Sequence, residues 1–433
     1  MSTFVCEPGG QLQGRLRVPG DKSVSHRAVM LGALAEGTTT IDGFLEGADC
    51  LATLQAMQAM GVVIDGPFEG RVTVHGVGLH GLSPPASALD MGNAGTAMRL
   101  LTGVLAGQRF DSTLVGDASL SRRPMRRVTE PLTRMGAWIE TTENGTAPLR
   151  IHGDRPLRGI DYPMPMASAQ VKSCLLLAGL YAEGTTRVTE PATTRDHTER
   201  MLQAFDYPPR CDGRSVELTG GGRLRATSLT VPGDISSAAF LLVGASIAED
   251  SELVLEQVGI NPTRTGVLDI LQAMGADIHC ENERRVGGEP VADLRVRSAP
   301  LHGIRIPEDR VPLAIDEFPA LFVAAACAEG ETVLTGAVEL RTKESDRIAT
   351  MAAGLETLGI EARPTPDGMI IRGGTLQGGE IDSHGDHRVA MAFAMAALRA
   401  TQPVRIADCA NVTTSFPGFV ELAWGAGLSI RQV

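Results

Sequence analysis

Apolar residues along this chain gather into two kinds of helix-length stretch, and the two kinds alternate. The first kind is apolar nearly all round and rich in Ala and Gly: AVMLGALA, LLTGVLA, CLLLAGLYA, LLVGASIA, VAAACA and FAMAALRA. A helix without a polar face is expected to be buried on every side. The second kind, such as TGVLDILQAMG or DRIATMAAGLETLG, keeps a polar face and should be partly exposed. It stops at Met60-Gly61, Met135-Gly136, Met274-Gly275 or Leu358-Gly359, where glycine supplies a left-handed cap. Thr- and Val-rich stretches such as TTTI, TTRV, RVTVHGV and VADLRVRS lie between them and read as strands.

These parts recur in one order. From Lys22 to Asp386 the pattern repeats in five steps, a period of about 73 residues and six units in all. Each unit opens on a polar segment: GDKSVSHR, GNAGTAMR, MASAQVKS, GDISSAAF, IDEFPALF and GDHRVAMA. Ala-Glu-Gly, at Ala35–Gly37, Ala182–Gly184 and Ala328–Gly330, predicts a turn after three of the apolar helices. Six α/β units of this length predict two domains of three units, with helices inside and sheets outside. The plainer alternative is two ordinary α/β domains that share Ala-rich helices by composition. One dinucleotide-like motif, Gly76-Val-Gly-Leu-His-Gly81, leads into LSPPASA, whose prolines forbid the helix a pyrophosphate needs, so it reads as a loop. No GxxxxGK[ST] is present, which excludes an NTP-hydrolysing P-loop.

Composition narrows the function. The 433 residues exceed one compact core and, on length alone, suggest two or three domains. With 51 acidic against 39 basic residues the net charge is −12, and aromatics are 4%. Neither nucleic acid nor an anionic membrane is an expected partner. The most apolar runs, 238–248 and 389–398, are about half a membrane span. MSTFVCEPGG has no secretory character, and none of the seven scattered cysteines forms a CxxC pair, so a cytoplasmic protein with reduced thiols is expected. There is no HExxH, and His384 and His387 read as structural, so no metal or cofactor is expected. Only three of the 39 basic residues are lysines: Lys22, Lys172 and Lys343.

The polar openings precede buried helices, whose free N–H groups and dipole favour anions. They carry matching side chains: Lys22, Ser23 and Arg27; Asn93, Gly95, Thr96 and Arg99; Arg122, Arg123, Arg126 and Arg127; Ser168, Gln170 and Lys172; Arg195; Lys343, Glu344 and Arg347; and Arg388. Each has a bland reading. Arg126 and Arg127 suit an exposed helix start, Lys343 and Asp346 suit an ion-paired turn, and Asp316 and Glu317 suit a cap. Their recurrence at corresponding places in the repeat favours an anion site. Where arginine is the default cation, a lysine marks a place for a compact ammonium; Lys22 and Lys343 lie in site segments, whereas Lys172 suits a structural role as well. Asp316 and Glu344 are the expected carboxylate pair, one to remove a proton from a hydroxyl and the other, kept protonated by burial, to deliver one.

GDKSVSHR, GNAGT, SRRP, MASAQVKS, IDEFP, KESDR and GDHR, in this order over the whole length, resemble the 3-phosphoshikimate 1-carboxyvinyltransferase (5-enolpyruvylshikimate-3-phosphate synthase) family. The resemblance implies transfer of the enolpyruvyl group of phosphoenolpyruvate to the 5-hydroxyl of shikimate 3-phosphate, releasing phosphate. It also implies a two-domain inverted (inside-out) α/β barrel of six βαβαββ-like repeats, three per domain. The domains would be 20–230 and 1–19 with 231–433, the active site lying in the cleft between them. Lys22, Ser23, Arg27, Ser168, Ala169, Gln170, Arg195, Asp316 and Lys343 would hold shikimate 3-phosphate. Lys22, Asn93, Gly95, Arg123, Gln170, Arg347 and Arg388 would hold phosphoenolpyruvate. Asp316 would be the base on the 5-hydroxyl, Glu344 the acid at the methylene carbon, and Lys22 a third catalytic group. A monomer without cofactors is expected.

Three segments, MASAQVKS, TRDHTE and NPTRTG, are similar to the glyphosate-tolerant branch of that family. Gly95 instead matches the sensitive branch, while Leu100 and Thr414 depart from it, replacing a proline and a lysine. Sensitivity is the expectation, because Gly95 leaves room for the inhibitor. The rival UDP-N-acetylglucosamine enolpyruvyltransferase family needs a cysteine in the segment matching SRRP, and Ser119–Arg127 has none; Cys50 and Cys174 lie elsewhere. A non-catalytic phosphosugar binder would not need Asp316 and Glu344, and a repeat scaffold would show apolar patches instead of cations.

Overall fold

The computed structural model describes residues 2–433 and divides into two compact units. The N unit comprises Gly20–Val231 with the short segment Val286–Glu289. The C unit comprises Met1–Pro19, Pro232–Arg285 and Pro290–Val433.

In the N unit three apolar helices, α1 (Lys22–Leu34), α3 (Gly95–Ala106) and α5 (Ala169–Gly179), alternate with α2 (Ala48–Ala59), α4 (Arg126–Arg134) and α6 (His197–Ala204). The C unit repeats the arrangement with α7 (Ile235–Ile247), α9 (Phe318–Cys327) and α11 (His387–Ala396) alternating with α8 (Gly266–Ala273), α10 (Arg347–Thr357) and α12 (Phe419–Ala426). The two kinds of helix behave as their patterns predict. Every residue of α7 is buried, whereas α2, α10 and α12 each keep an exposed face. Close approach explains the glycines of the apolar kind: a Cβ at Gly103 of α3 would lie 2.2 Å from the Cys174 carbonyl oxygen of α5.

Each unit holds three small sheets. In the N unit Ala35–Asp42 pairs antiparallel with Arg71–Val77, Thr39 opposite Val74. Thr39 and Ile41 turn inward while Thr38 and Thr40 face solvent, as expected for a sheet with one covered face. In the C unit the first strand, Phe4–Cys6, sits between Val404–Ala407 and Ile430–Gln432, antiparallel to both. The chain's start is thereby tied to its end. The apolar core follows the same division, one continuous cluster in the C unit and two in the N unit.

Two local expectations change. Ala35–Gly37 is the first part of a strand instead of a separate turn, because Ala35 and Glu36 pair with Leu224 and Arg225 and Gly37 with Gly76. The glycine is still required, since Gly37 has φ 107°. The stretch 78–88 after Arg71–Val77 is a loop, as its prolines dictate.

Candidate functional site

In the N unit the starts of α1, α3 and α5 are joined by their own polar side chains. Arg27, one turn into α1, is buried; its Nε donates to Thr198 Oγ1 at 2.7 Å and its NH2 to Ser173 Oγ at 2.8 Å. Gln170, in the first turn of α5, accepts from Arg99 NH1 at 2.5 Å and donates to Thr96 Oγ1 at 2.9 Å, both on α3. These bonds fix which way the Gln170 amide points. Arg123 donates through NH2 to Asn93 Oδ1 at 2.5 Å, and the Asn93 amide is held in turn by Asp117 at 2.8 Å. Ser168 caps α5 by accepting from Val171 N, and Ala169 is the helix's first residue. Lys22 opens α1 and forms an ion pair with Asp49 in the first turn of α2. Gly95 opens α3, and a Cβ there would lie 3.0 Å from Arg123 NH1 and 3.4 Å from Arg99 NH1. Any larger residue must therefore displace an arginine.

A second cluster forms in the C unit, where the starts of α9, α10 and α11 meet. Asp316, just before α9, has Oδ1 at 3.1 Å from Lys343 Nζ and 3.5 Å from Arg347 NH1. Arg347 is buried and spans to Glu344 at 2.7 Å and Asp386 at 2.8 Å. Burial alone would lower the pKa of the Arg347 guanidinium, but Asp386 and Glu344 outweigh it and the pKa is raised. The same contact acts on Asp386: burial opposes ionisation, Arg347 outweighs it, and the pKa is lowered. Arg388 donates from NH1 to the Asp316 carbonyl oxygen at 3.1 Å. Lys343 also pairs with Glu339 at 2.8 Å.

The C unit joins Asp316, Lys343, Glu344, Arg347 and Arg388; the N unit ties Arg27 to α5 and α6, Gln170 to α3 and Arg123 to Asn93 beside Gly95, with Ser168 and Ala169 at the start of α5, while Lys22 pairs with Asp49 and Ser23 gives its carbonyl oxygen to Arg27. Arg195 is half-buried in the segment leading into α6. Lys343 and Asp346 do not face each other: Asp346 caps α10 and pairs with Arg341 at 2.6 Å. Glu317 makes no capping bond; it is buried against Ser236 and Arg264. Burial does not isolate Glu344, whose side chain is 21% exposed and ion-paired. Asp49, Asp386 and Arg264 were not singled out from the sequence. Asp386 had a signal, its place before an apolar helix in GDHR, whereas Asp49 meets Lys22 only through tertiary packing of α2 on α1.

The family model described as EPSP synthase (3-phosphoshikimate 1-carboxyvinyltransferase) matches residues 6–422. The chain belongs to the EPSP synthase family. A 3-phosphoshikimate 1-carboxyvinyltransferase of Alkalilimnicola ehrlichii is 71% identical over 430 residues, 99% of this chain and 96% of that protein. One of Methylococcus capsulatus is 69% identical over 428 residues, 99% of this chain and 98% of its own. The solved EPSP synthase of Acinetobacter baumannii superposes with a TM-score of 0.90 at 60% identity, covering all of both chains. Against that family background the two departures have clear local settings: Leu100 is fully buried in α3, and Thr414 turns its hydroxyl back to the Asn411 carbonyl oxygen at 2.7 Å.

Proposed function

We propose that this chain transfers the enolpyruvyl group of phosphoenolpyruvate to the 5-hydroxyl of shikimate 3-phosphate with release of phosphate. The N-unit cluster would supply most of the cations and helix starts that hold the two phosphorylated acids. The C-unit cluster would supply the proton chemistry, with Lys343, Arg347 and Arg388 as further anion contacts. One observation carries the reading: Arg347 lies between two carboxylates, Asp316 at 3.5 Å and Glu344 at 2.7 Å. Asp316 takes the proton of the attacking hydroxyl. Glu344 gives one to the methylene carbon, making the adjacent carbon electrophilic; the methyl group then returns a proton to Glu344 as the C–O bond to phosphate breaks, and the departing phosphate carries off the proton taken by Asp316. Atoms and electrons balance without a redox group. Arg123, Arg347 and Arg388 suit phosphate and carboxylate because a guanidinium binds either bidentately.

Six small sheets and six buried helices, three of each per unit, support the six-repeat, inside-out reading of the architecture. A cytoplasmic monomer is the form this reading assumes. Seven scattered cysteines with no CxxC pair support the compartment, and the scatter of the few exposed large apolar residues, such as Phe68, Trp138 and Trp424, supports the monomer. The test is an initial-rate assay of phosphate release from phosphoenolpyruvate. Release should require shikimate 3-phosphate and be absent with UDP-N-acetylglucosamine; the reverse dependence overturns the proposal. In the same assay glyphosate should inhibit at low phosphoenolpyruvate, because Gly95 puts no side chain against Arg123 and Arg99. Full activity at millimolar glyphosate would refute that part.

A further inference from the structure

Lys172 has no role in the chemistry above, yet its surroundings are unusual. It lies in α5 with 1% exposure, and its Nζ is 2.7 Å from Glu199 Oε1, 2.9 Å from Glu190 Oε2 and 3.5 Å from the Thr194 carbonyl oxygen. The Thr194 hydroxyl donates to the other oxygen of Glu190. Glu190 directly follows the strand Thr185–Thr189, and Glu199 lies in the first turn of α6. A single ammonium therefore closes both ends of the 190–199 segment, which carries Arg195. The next residue on each helix continues the connection. Thr198, beside Glu199, donates to Ser173 Oγ, beside Lys172, at 2.8 Å, and the Arg27 guanidinium bonds to both hydroxyls.

The geometry points to Lys172 as a positioning residue for the substrate-phosphate cations: by tying Glu190 and Glu199 to α5 it sets where Thr198 and Ser173 hold Arg27 and where Arg195 stands. This rests on the reading of Arg27 and Arg195 as shikimate 3-phosphate ligands. It also accounts for a lysine in an arginine-rich chain. The acceptors sit at three points along the 190–199 segment, its two ends and its middle, and the three donors of a compact ammonium can reach all of them, whereas a planar guanidinium presents its donors in one fork. Burial favours the neutral amine, but Glu199 and Glu190 outweigh it and the Lys172 pKa is raised, while burial also raises that of Glu199.

The test is steady-state kinetics, with both substrates varied, on Lys172→Arg, Thr198→Val, Thr198→Ser and Arg27→Met. Lys172→Arg should raise KM for shikimate 3-phosphate about tenfold while KM for phosphoenolpyruvate and kcat stay within about twofold. Thr198→Val should move the same constant in the same direction, and Thr198→Ser should restore it. If Lys172→Arg does not fold, the Thr198 pair decides alone. Equal rises in both KM values, or a fall in thermal midpoint without any change in KM, overturn the assignment by showing a purely structural lysine. So does an unchanged KM for shikimate 3-phosphate in Thr198→Val. Arg27→Met separates the two levels. If it leaves that KM unchanged, the reading of Arg27 fails; if it raises the KM and the other variants do not, only the role of Lys172 fails.

Discussion

Asp316→Asn should lose about 10²–10⁴-fold in kcat, the range expected when a general base is removed, with a thermal midpoint close to the parent's. The two halves of that expectation have separate causes. The carboxylate is 15% exposed and lies 3.1 Å from Lys343, so it is reachable and held by a cation instead of sealed in the core. Its loss strands no cation. Lys343 keeps Glu339 at 2.8 Å, and Arg347 keeps Glu344 and Asp386. Glu344→Gln should fall in the same range, since an amide neither delivers nor recovers a proton at the methylene carbon. Single-turnover rates measured across pH check both. Profiles for both variants that match the parent in height and shape would remove the two carboxylates from the chemistry.

Arg347→Met should be the most damaging substitution to stability, costing about 3–5 kcal/mol at neutral pH, because it leaves a buried carboxylate without its cation. Asp386 is fully buried, and in its place Ser345 at 3.1 Å and the Arg388 amide at 2.9 Å remain as its polar partners. The pH dependence follows from the lowered pKa of Asp386. In the parent its ionised form contributes stability that is present above the ordinary value of 3.8 and is lost as pH falls through the lower folded value. In the variant the strongest group favouring ionisation is gone, so burial moves the balance towards the protonated form and acid relieves the defect. Denaturant unfolding at pH 7 and near pH 4 should show the gap between parent and variant narrowing in acid. A gap that stays constant would mean that lost packing, not the stranded charge, sets the cost.

The sequence made the two helix types visible because they obey different solvation rules. A helix such as ISSAAFLLVGASI has no polar face and must be covered on all sides, and the structure buries every residue of it. The N-terminal side chains were legible for the same reason: a polar opening before such a helix is forced to the edge of the core, where backbone donors are free. What could not be read was pairing across elements. Nothing local links Lys22 to Asp49, Arg347 to Asp386, or Arg27 to Thr198, whose contacts depend on how α1, α2, α6, α10 and α11 pack. The bland reading of KESDR failed for the same reason. Lys343 and Asp346 are close in sequence, yet tertiary packing offers Lys343 the carboxylate of Asp316, while the backbone of α10 claims Asp346 as a cap. The exposure of Glu344 is likewise set by its place at the start of α10, which no periodicity reports.

The central claim is that Glu344 exchanges a proton with the methylene carbon while Asp316 serves the hydroxyl. Running the reaction in D2O with shikimate 3-phosphate and phosphoenolpyruvate, and reading deuterium in the product methylene by NMR or mass spectrometry, tests it most directly. The parent should place deuterium there, because a proton added to that carbon makes a methyl group from which any of three hydrogens can be lost. Glu344→Gln should slow the incorporation in step with its loss of turnover. Deuterium entering the methylene in Glu344→Gln as fast as in the parent would contradict the account.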